Sequence, residues 1–143
     1  HLRTSFGSPH IFCEINALGI EMPLDLAVPC GMIINELITN ALKYAFPEGR
    51  SGATVKKDRI QVHMTHDNNT FILSVADNGV GLPPGFDLNT VKSLGLVLVR
   101  MLGQHQLGGR YKVDHTDGTR FDFSFPSHNE GKGHASGNPP HRR

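Results

Sequence analysis

The stretch NELITNALKYAFPEG at residues 35–49 decides how the rest of the chain is read. With the residues just before it, it places Ile33, Ile34, Leu37, Ile38, Ala41, Leu42 and Ala45 at helical spacing. Pro47 and Gly49 stop the pattern. Pro29 fits the first turn, where its missing N–H would have no partner anyway. The expected helix runs from about Pro29 to Phe46. Glu36 and Asn40 lie four residues apart and share one face of it. Lys43 and Tyr44 continue that line one turn later. An acid, an amide, an amine and a phenol in register on an apolar helix form either a solvated face or one wall of a site.

Working outward, HIFCEIN at 10–16 reads as a strand, and Pro23 and Asp25 punctuate a loop before the helix. A loop follows at 48–58. RIQVHMTHD at 59–67 alternates with period two, Asn68-Asn69 makes a turn, and TFILSVAD at 70–77 is a more apolar strand. The connection at 78–93 is rich in glycine and proline, and a second apolar helix is expected at 94–107. GGRYKVDHT and GTRFDFSFP form a last hairpin around Asp117-Gly118. In its second strand Phe121, Phe123 and Phe125 face one way, Asp122 and Ser124 the other. The order strand, helix, hairpin, helix, hairpin indicates an α+β two-layer sandwich, a mixed sheet with helices packed on one face. Residues 1–126 form the expected domain, and 127–143 an expected disordered tail.

The 143 residues fit one domain with its own core. Hydrophobic content of 38% and a net charge of +1 argue for a globular protein and against a strong nucleic-acid or membrane-surface binder. No apolar run reaches the roughly 18 residues of a membrane span. Cys13 and Cys30 form no CxxC pair and read as reduced core thiols in a cytosolic setting. The nine histidines show no zinc-ligand pattern; His63 and His66, three apart in a strand, point to opposite faces. The chain starts without Met, as a domain cut from a longer protein would.

Four features bear on chemistry. The line on the first helix suits magnesium and phosphate: magnesium takes oxygen ligands and shares them with substrate phosphates. Asn40 offers an amide oxygen, Lys43 a positive charge, and Glu36 a carboxylate to orient or deprotonate a reactant. DNGVGLPPG at 77–85 sets two glycines after a strand-ending Asp77, in a DxGxG spacing that lets a ligand approach the backbone or simply makes a loop. In SLGLVLV at 93–99, Gly95 marks a helix start, where N–H groups and dipole favour phosphate, or a packing glycine. DGTRF at 117–121 alone is a hairpin turn.

Taken in order, ELxxNAxKYAF, DNGVGLP, SLGL and GTRF resemble the N, G1, G2 and G3 blocks of the GHKL ATPase superfamily. Over about residues 10–126 the chain is most similar to the catalytic ATP-binding domain of two-component sensor histidine kinases, in the subgroup with a short ATP lid. That resemblance implies a Bergerat-type fold, Mg-ATP as ligand, and donation of the γ-phosphoryl group to a histidine on a separate dimerisation domain of the parent kinase. A response regulator would act downstream. It implies a cytoplasmic domain with no nucleic-acid partner and no direct membrane contact. By the same resemblance Asn40 would bind magnesium, Glu36 would be the catalytic acid residue, Lys43 would contact phosphate and Tyr44 would line the adenine pocket. Asp77 would accept a hydrogen bond from the adenine amino group, with Thr119 close by. Gly79 and Gly81 would shape the pocket, and Leu94, Gly95 and Leu96 would offer backbone N–H groups to the phosphates. Ser93 stands where many relatives carry a second glycine, and the lid, about 83–93, is short. No acceptor histidine is expected in this chain; His105 falls within the second apolar helix. An anti-sigma-factor-type serine kinase, a non-catalytic nucleotide-binding docking module and a gyrase-like fragment are the alternatives.

Overall fold

The computed structural model describes residues 3–4, 11–47 and 57–128. The expected loop at 48–56 and the expected tail at 129–143 lie outside the described residues. The elements are β1 (Arg3–Thr4), β2 (Phe12–Asn16), α1 (Leu24–Tyr44), β3 (Arg59–Asp67), β4 (Thr70–Asp77), α2 (Leu94–Met101), a π-helical turn (Leu102–Gln106), β5 (Arg110–Asp114) and β6 (Thr119–Pro126). They build one mixed sheet in the order β1-β2-β3-β4-β6-β5. Only β2 and β3 run parallel among the paired strands described. Parallel neighbours need a long crossover, and α1 supplies it.

The strand periodicity translates directly into layers. Ile60, Val62 and Met64 of β3, Phe71, Leu73 and Val75 of β4, and Phe121, Phe123 and Phe125 of β6 are all buried. Most of them form one core with Leu26, Cys30, Ile33 and Leu37 of α1 and Val99 of α2. Both helices therefore lie on the same face of the sheet. The opposite face carries polar groups: the Ser74 hydroxyl donates to Asp122, whose two carboxylate oxygens each accept from Arg120 Nε at 3.0 Å. The β3–β4 hairpin has the expected two-residue turn, with Asn68 and Asn69 at φ of 47° and 61°. Paired positive φ values match a tight hairpin whose twist suits the flanking strands. Both thiols are buried and free, and burial pushes Cys30 up to about 12.

Four boundaries differ from the sequence reading. Helix α1 starts at Leu24, so Pro23 and Asp25 are its N-cap and first turn rather than a loop. Burial decides this: Leu26 and Cys30 extend the buried row Ile33, Leu37 and Ala41 toward the N-terminus. Pro29 is then interior, where it forgoes a bond to the Asp25 carbonyl. Its ring is buried with the core face. Strand β1, two residues long, is too short to carry a pattern. The second helix widens into π geometry after Met101, beside Gly103. A Cβ on Gly103 would lie 2.9 Å from the Phe123 ring, and the Gly103 carbonyl accepts the Gly109 N–H at 3.0 Å. Finally, Ser127 is buried and its N–H donates to the Asn69 carbonyl at 2.8 Å, so the packed chain runs beyond residue 126.

The early helix start is testable by urea unfolding. Leu26→Ala, at a position 1% exposed, is expected to lower stability by about 2–5 kcal/mol. Leu24→Ala, at a position 76% exposed, is expected to change it by less than about 0.5 kcal/mol. Equal, small effects would place Leu26 outside the helix.

Candidate functional site

A cavity of about 300 Å³ opens between α1, the ends of β4 and β6, and the start of α2. Helix α1 contributes Glu36, Asn40, Lys43 and Tyr44 to its wall. The helix buries the row Leu26, Cys30, Ile33, Leu37 and Ala41 against the sheet, so the Glu36–Asn40 line is turned to the edge of that contact. Glu36 and Asn40 are half-buried, while Lys43 and Tyr44 are exposed at the rim.

Strand register makes the closed end. Asp77, the last residue of β4, pairs with Thr119, the first of β6. Both line the cavity, and Thr119 is buried. The Asp77 carboxylate accepts the Gly79 N–H at 2.9 Å, which folds the chain sharply off the strand. The Val80 N–H then donates to the Ala45 carbonyl at 2.9 Å, fastening this loop to the end of α1. Gly79 permits that contact, since a Cβ there would stand 2.4 Å from the Ala45 oxygen. Gly79 is thus a packing position that does not line the cavity, whereas Gly81, at φ of +80°, does.

The open end is set by the start of α2. Gly95 and Leu96 line it. A Cβ on Gly95 would lie 2.5 Å from Glu36 Oε2, so glycine lets the helix start approach that carboxylate without displacing it. Ser93 makes no side-chain cap, which leaves the first-turn N–H groups without a capping side chain. Leu94 does not line the cavity; its side chain is 84% exposed. Any role it has at this end belongs to its backbone.

Two further residues support the site and were not singled out from the sequence. Gly118 seats the β5–β6 turn on Asp77: a Cβ there would be 2.0 Å from the Asp77 carbonyl oxygen. Asn78 ties the start of β3 to the end of β4, with Oδ1 accepting from the Arg59 N–H at 2.7 Å and Nδ2 donating to the Lys57 carbonyl at 2.9 Å. Their only sequence signal was membership of turn-like dipeptides.

The arrangement is polar and acidic at one buried corner, apolar along its walls, and carries an amide, a carboxylate and a helix start at its mouth. Among the described residues no group of three or more His, Cys, Asp or Glu is placed to hold a metal. One amide oxygen at Asn40 fits a hard cation whose other ligands come from phosphate and water.

Comparison with known proteins agrees with this geometry. Residues 27–129 match the family described as histidine kinase-, DNA gyrase B- and HSP90-like ATPases. The sensor histidine kinase PdtaS of Mycobacterium tuberculosis is 35% identical over 98 residues, which cover 67% of this chain and 18% of that protein. Blue-light-activated histidine kinase 2 of Erythrobacter litoralis is 28% identical over 98 residues, covering 68% of this chain and 27% of that protein. The chain therefore spans about a fifth to a quarter of the length of these relatives. Among solved structures, the histidine kinase domain of the Erythrobacter litoralis blue-light-activated kinase EL346 superposes with a TM-score of 0.72 at 27% identity, over 85% of this chain and 54% of that one. The catalytic domain of the histidine kinase ThkA shares the fold, with a TM-score of 0.57 at 20% identity over 82% of this chain and 79% of that one. The chain belongs to the histidine kinase-, DNA gyrase B- and HSP90-like ATPase family, and its homologues within that family are sensor histidine kinases.

Proposed function

We propose that this chain binds Mg-ATP and passes the γ-phosphoryl group to a histidine on a separate dimerisation domain of its parent kinase. A response regulator would take the group onward, and the domain would work in the cytoplasm. The observation that carries this reading is the pairing of Asp77 with Thr119 at one end of the cavity while Gly95 meets Glu36 at the other. One end presents a carboxylate to a base; the other presents a helix start and an amide to phosphates.

The roles follow from position. Asp77 accepts a hydrogen bond from the adenine amino group, with Thr119 beside it, and this selects adenine over guanine because guanine sets a carbonyl oxygen, not a donor, against the carboxylate. Tyr44 covers the base at the rim. The backbone N–H groups of Leu94, Gly95 and Leu96 face the phosphates, and Lys43 offsets their charge. Asn40 would hold magnesium, which when bound neutralises phosphate charge and orients the transferred group. Transfer breaks the P–O bond to ADP and forms a P–N bond to the acceptor imidazole. Glu36, one turn from Asn40, orients that imidazole and takes its proton.

Calorimetric titration with ATP, ADP and GTP tests the binding half. Asp77→Asn keeps an oxygen for the Gly79 N–H and is expected to weaken adenine-nucleotide binding by roughly tenfold or more, without unfolding the protein. Asn40→Ala is expected to abolish the difference between magnesium and EDTA. No adenine-nucleotide binding by the wild type at millimolar concentration would sink the reading and leave a docking module.

Transfer is tested by adding the histidine-bearing dimerisation domain and γ-labelled ATP. Glu36→Gln is expected to slow labelling by about a hundredfold or more, with ATP affinity little changed. Acid-stable label on a serine would instead indicate the serine-kinase alternative.

A further inference from the structure

The segment between Leu82 and Ser93 joins β4 to α2, and both of those end residues line the cavity. Its middle does not. It turns away and packs into the main core. Phe86 meets Phe121 edge-on with ring centroids 6.4 Å apart, and Leu88 is 2% exposed. Next to this buried residue, at the exposed Asn89, the chain is held from two other elements. Arg100, on α2, donates from its guanidinium to the Leu88 carbonyl at 3.4 Å and, more closely, to the Asn89 carbonyl. Tyr111, on β5, donates its hydroxyl to Asn89 Oδ1 at 2.7 Å. The Asp87 carboxylate accepts the Asn89 N–H at 2.8 Å and the Asp87 carbonyl accepts the Thr90 N–H at 3.1 Å, which closes a local turn around the held residue. Arg100, Tyr111 and Asn89 all lie outside the cavity lining.

We propose that Arg100 and Tyr111 are positioning residues that pin the middle of this lid at Asn89, so that nucleotide-linked movement is confined to the two arms, 82–85 and 90–93. The inference rests on the nucleotide reading of the cavity for its functional half only. A free flap of this length must lose conformational freedom each time it closes. A flap pinned at its midpoint has lost much of that freedom already, so bound nucleotide is held longer. The second arm ends at Ser93, directly before the helix start that faces the phosphates. The pin therefore governs how firmly those N–H groups are held. Arginine suits such a pin, because one guanidinium nitrogen, Nη1, reaches two successive carbonyls and the group keeps its charge across the accessible pH range.

Tyr111→Phe is the informative variant, since it removes the hydroxyl and keeps the ring beside Phe123, 6.3 Å away. In nucleotide-free protein, hydrogen exchange across 86–92 is expected to rise by roughly tenfold, the scale of one lost hydrogen bond. Exchange in β3 and β4 and the melting temperature should stay at wild-type values. Arg100→Ala should loosen the same segment, and Arg100→Lys should restore part of the protection. Stopped-flow release of Mg-ATP should be several-fold faster in Tyr111→Phe, with capture unchanged. Wild-type exchange across 86–92 in both Tyr111→Phe and Arg100→Ala would overturn the pin. A loosened lid with wild-type release would overturn the positioning role. If the wild type binds no nucleotide, the proposed function and the positioning role fall together, and exchange in the nucleotide-free protein still decides the pin.

Discussion

Burial of one face of α1 against the sheet is the constraint on which everything else rests. Leu26, Cys30, Ile33 and Leu37 share a core with Val75, Phe121 and Phe123. At about 25 cal/mol per Å² of apolar surface, that contact fixes the rotation of the helix far more strongly than any polar group on it could. Once the rotation is fixed, Glu36 and Asn40 have nowhere to point but along the margin of the contact. The polar line is placed by the apolar one. The cavity is the gap left where the helix stops covering the sheet, where β4 ends at Asp77 and β6 begins at Thr119, side by side.

Backbone contacts then finish what side chains begin. Gly79 against Ala45 and Gly118 against Asp77 are backbone approaches that no Cβ would permit, and a Cβ on Gly95 would displace the Glu36 carboxylate. Two of these glycines bring a loop and a helix start against α1, and the third seats a turn on the end of β4, all around the same cavity. The site is therefore assembled from pieces far apart in the chain by contacts that leave no room for adjustment. Asn78 adds polar stitching at the same corner, bonding both the Arg59 N–H and the Lys57 carbonyl.

Much of this was legible in the sequence wherever the signal was local. The alternation in β3 and the Asn68-Asn69 turn gave both strands of the first hairpin to the residue, because pleat and turn chemistry act within a few positions. The i, i+4 relation of Glu36 and Asn40 likewise needed only one helix. Non-local choices were less readable. Pro29 looked like a helix start, and the burial of Leu26 and Cys30 moved that start to Leu24. The neighbourhood of Asp77 and Thr119 depends on β4 pairing with β6 across more than forty residues of chain; resemblance to a family suggested it and residue spacing did not. Gly118 read as a turn residue because its constraint, the Asp77 carbonyl, is invisible along the chain. The π-helical turn at Leu102–Gln106 had no mark except Gly103, whose partner Phe123 lies in a distant strand.

The parallel pairing of β2 with β3 also carries a cost in chain entropy. Two hairpins, β3–β4 and β5–β6, close over short turns. The β2–β3 pair closes only across the whole α1 crossover. Closing a loop of that length costs more chain entropy than closing a hairpin turn, and the β4–β6 pair, which spans the lid and α2, carries a similar cost. During synthesis α1 emerges before β3, β4 and β6, the strands whose buried faces its own apolar face meets. The apolar face of α1 then has no sheet to pack on until those strands have also left the ribosome, and apolar surface left open in this way favours aggregation.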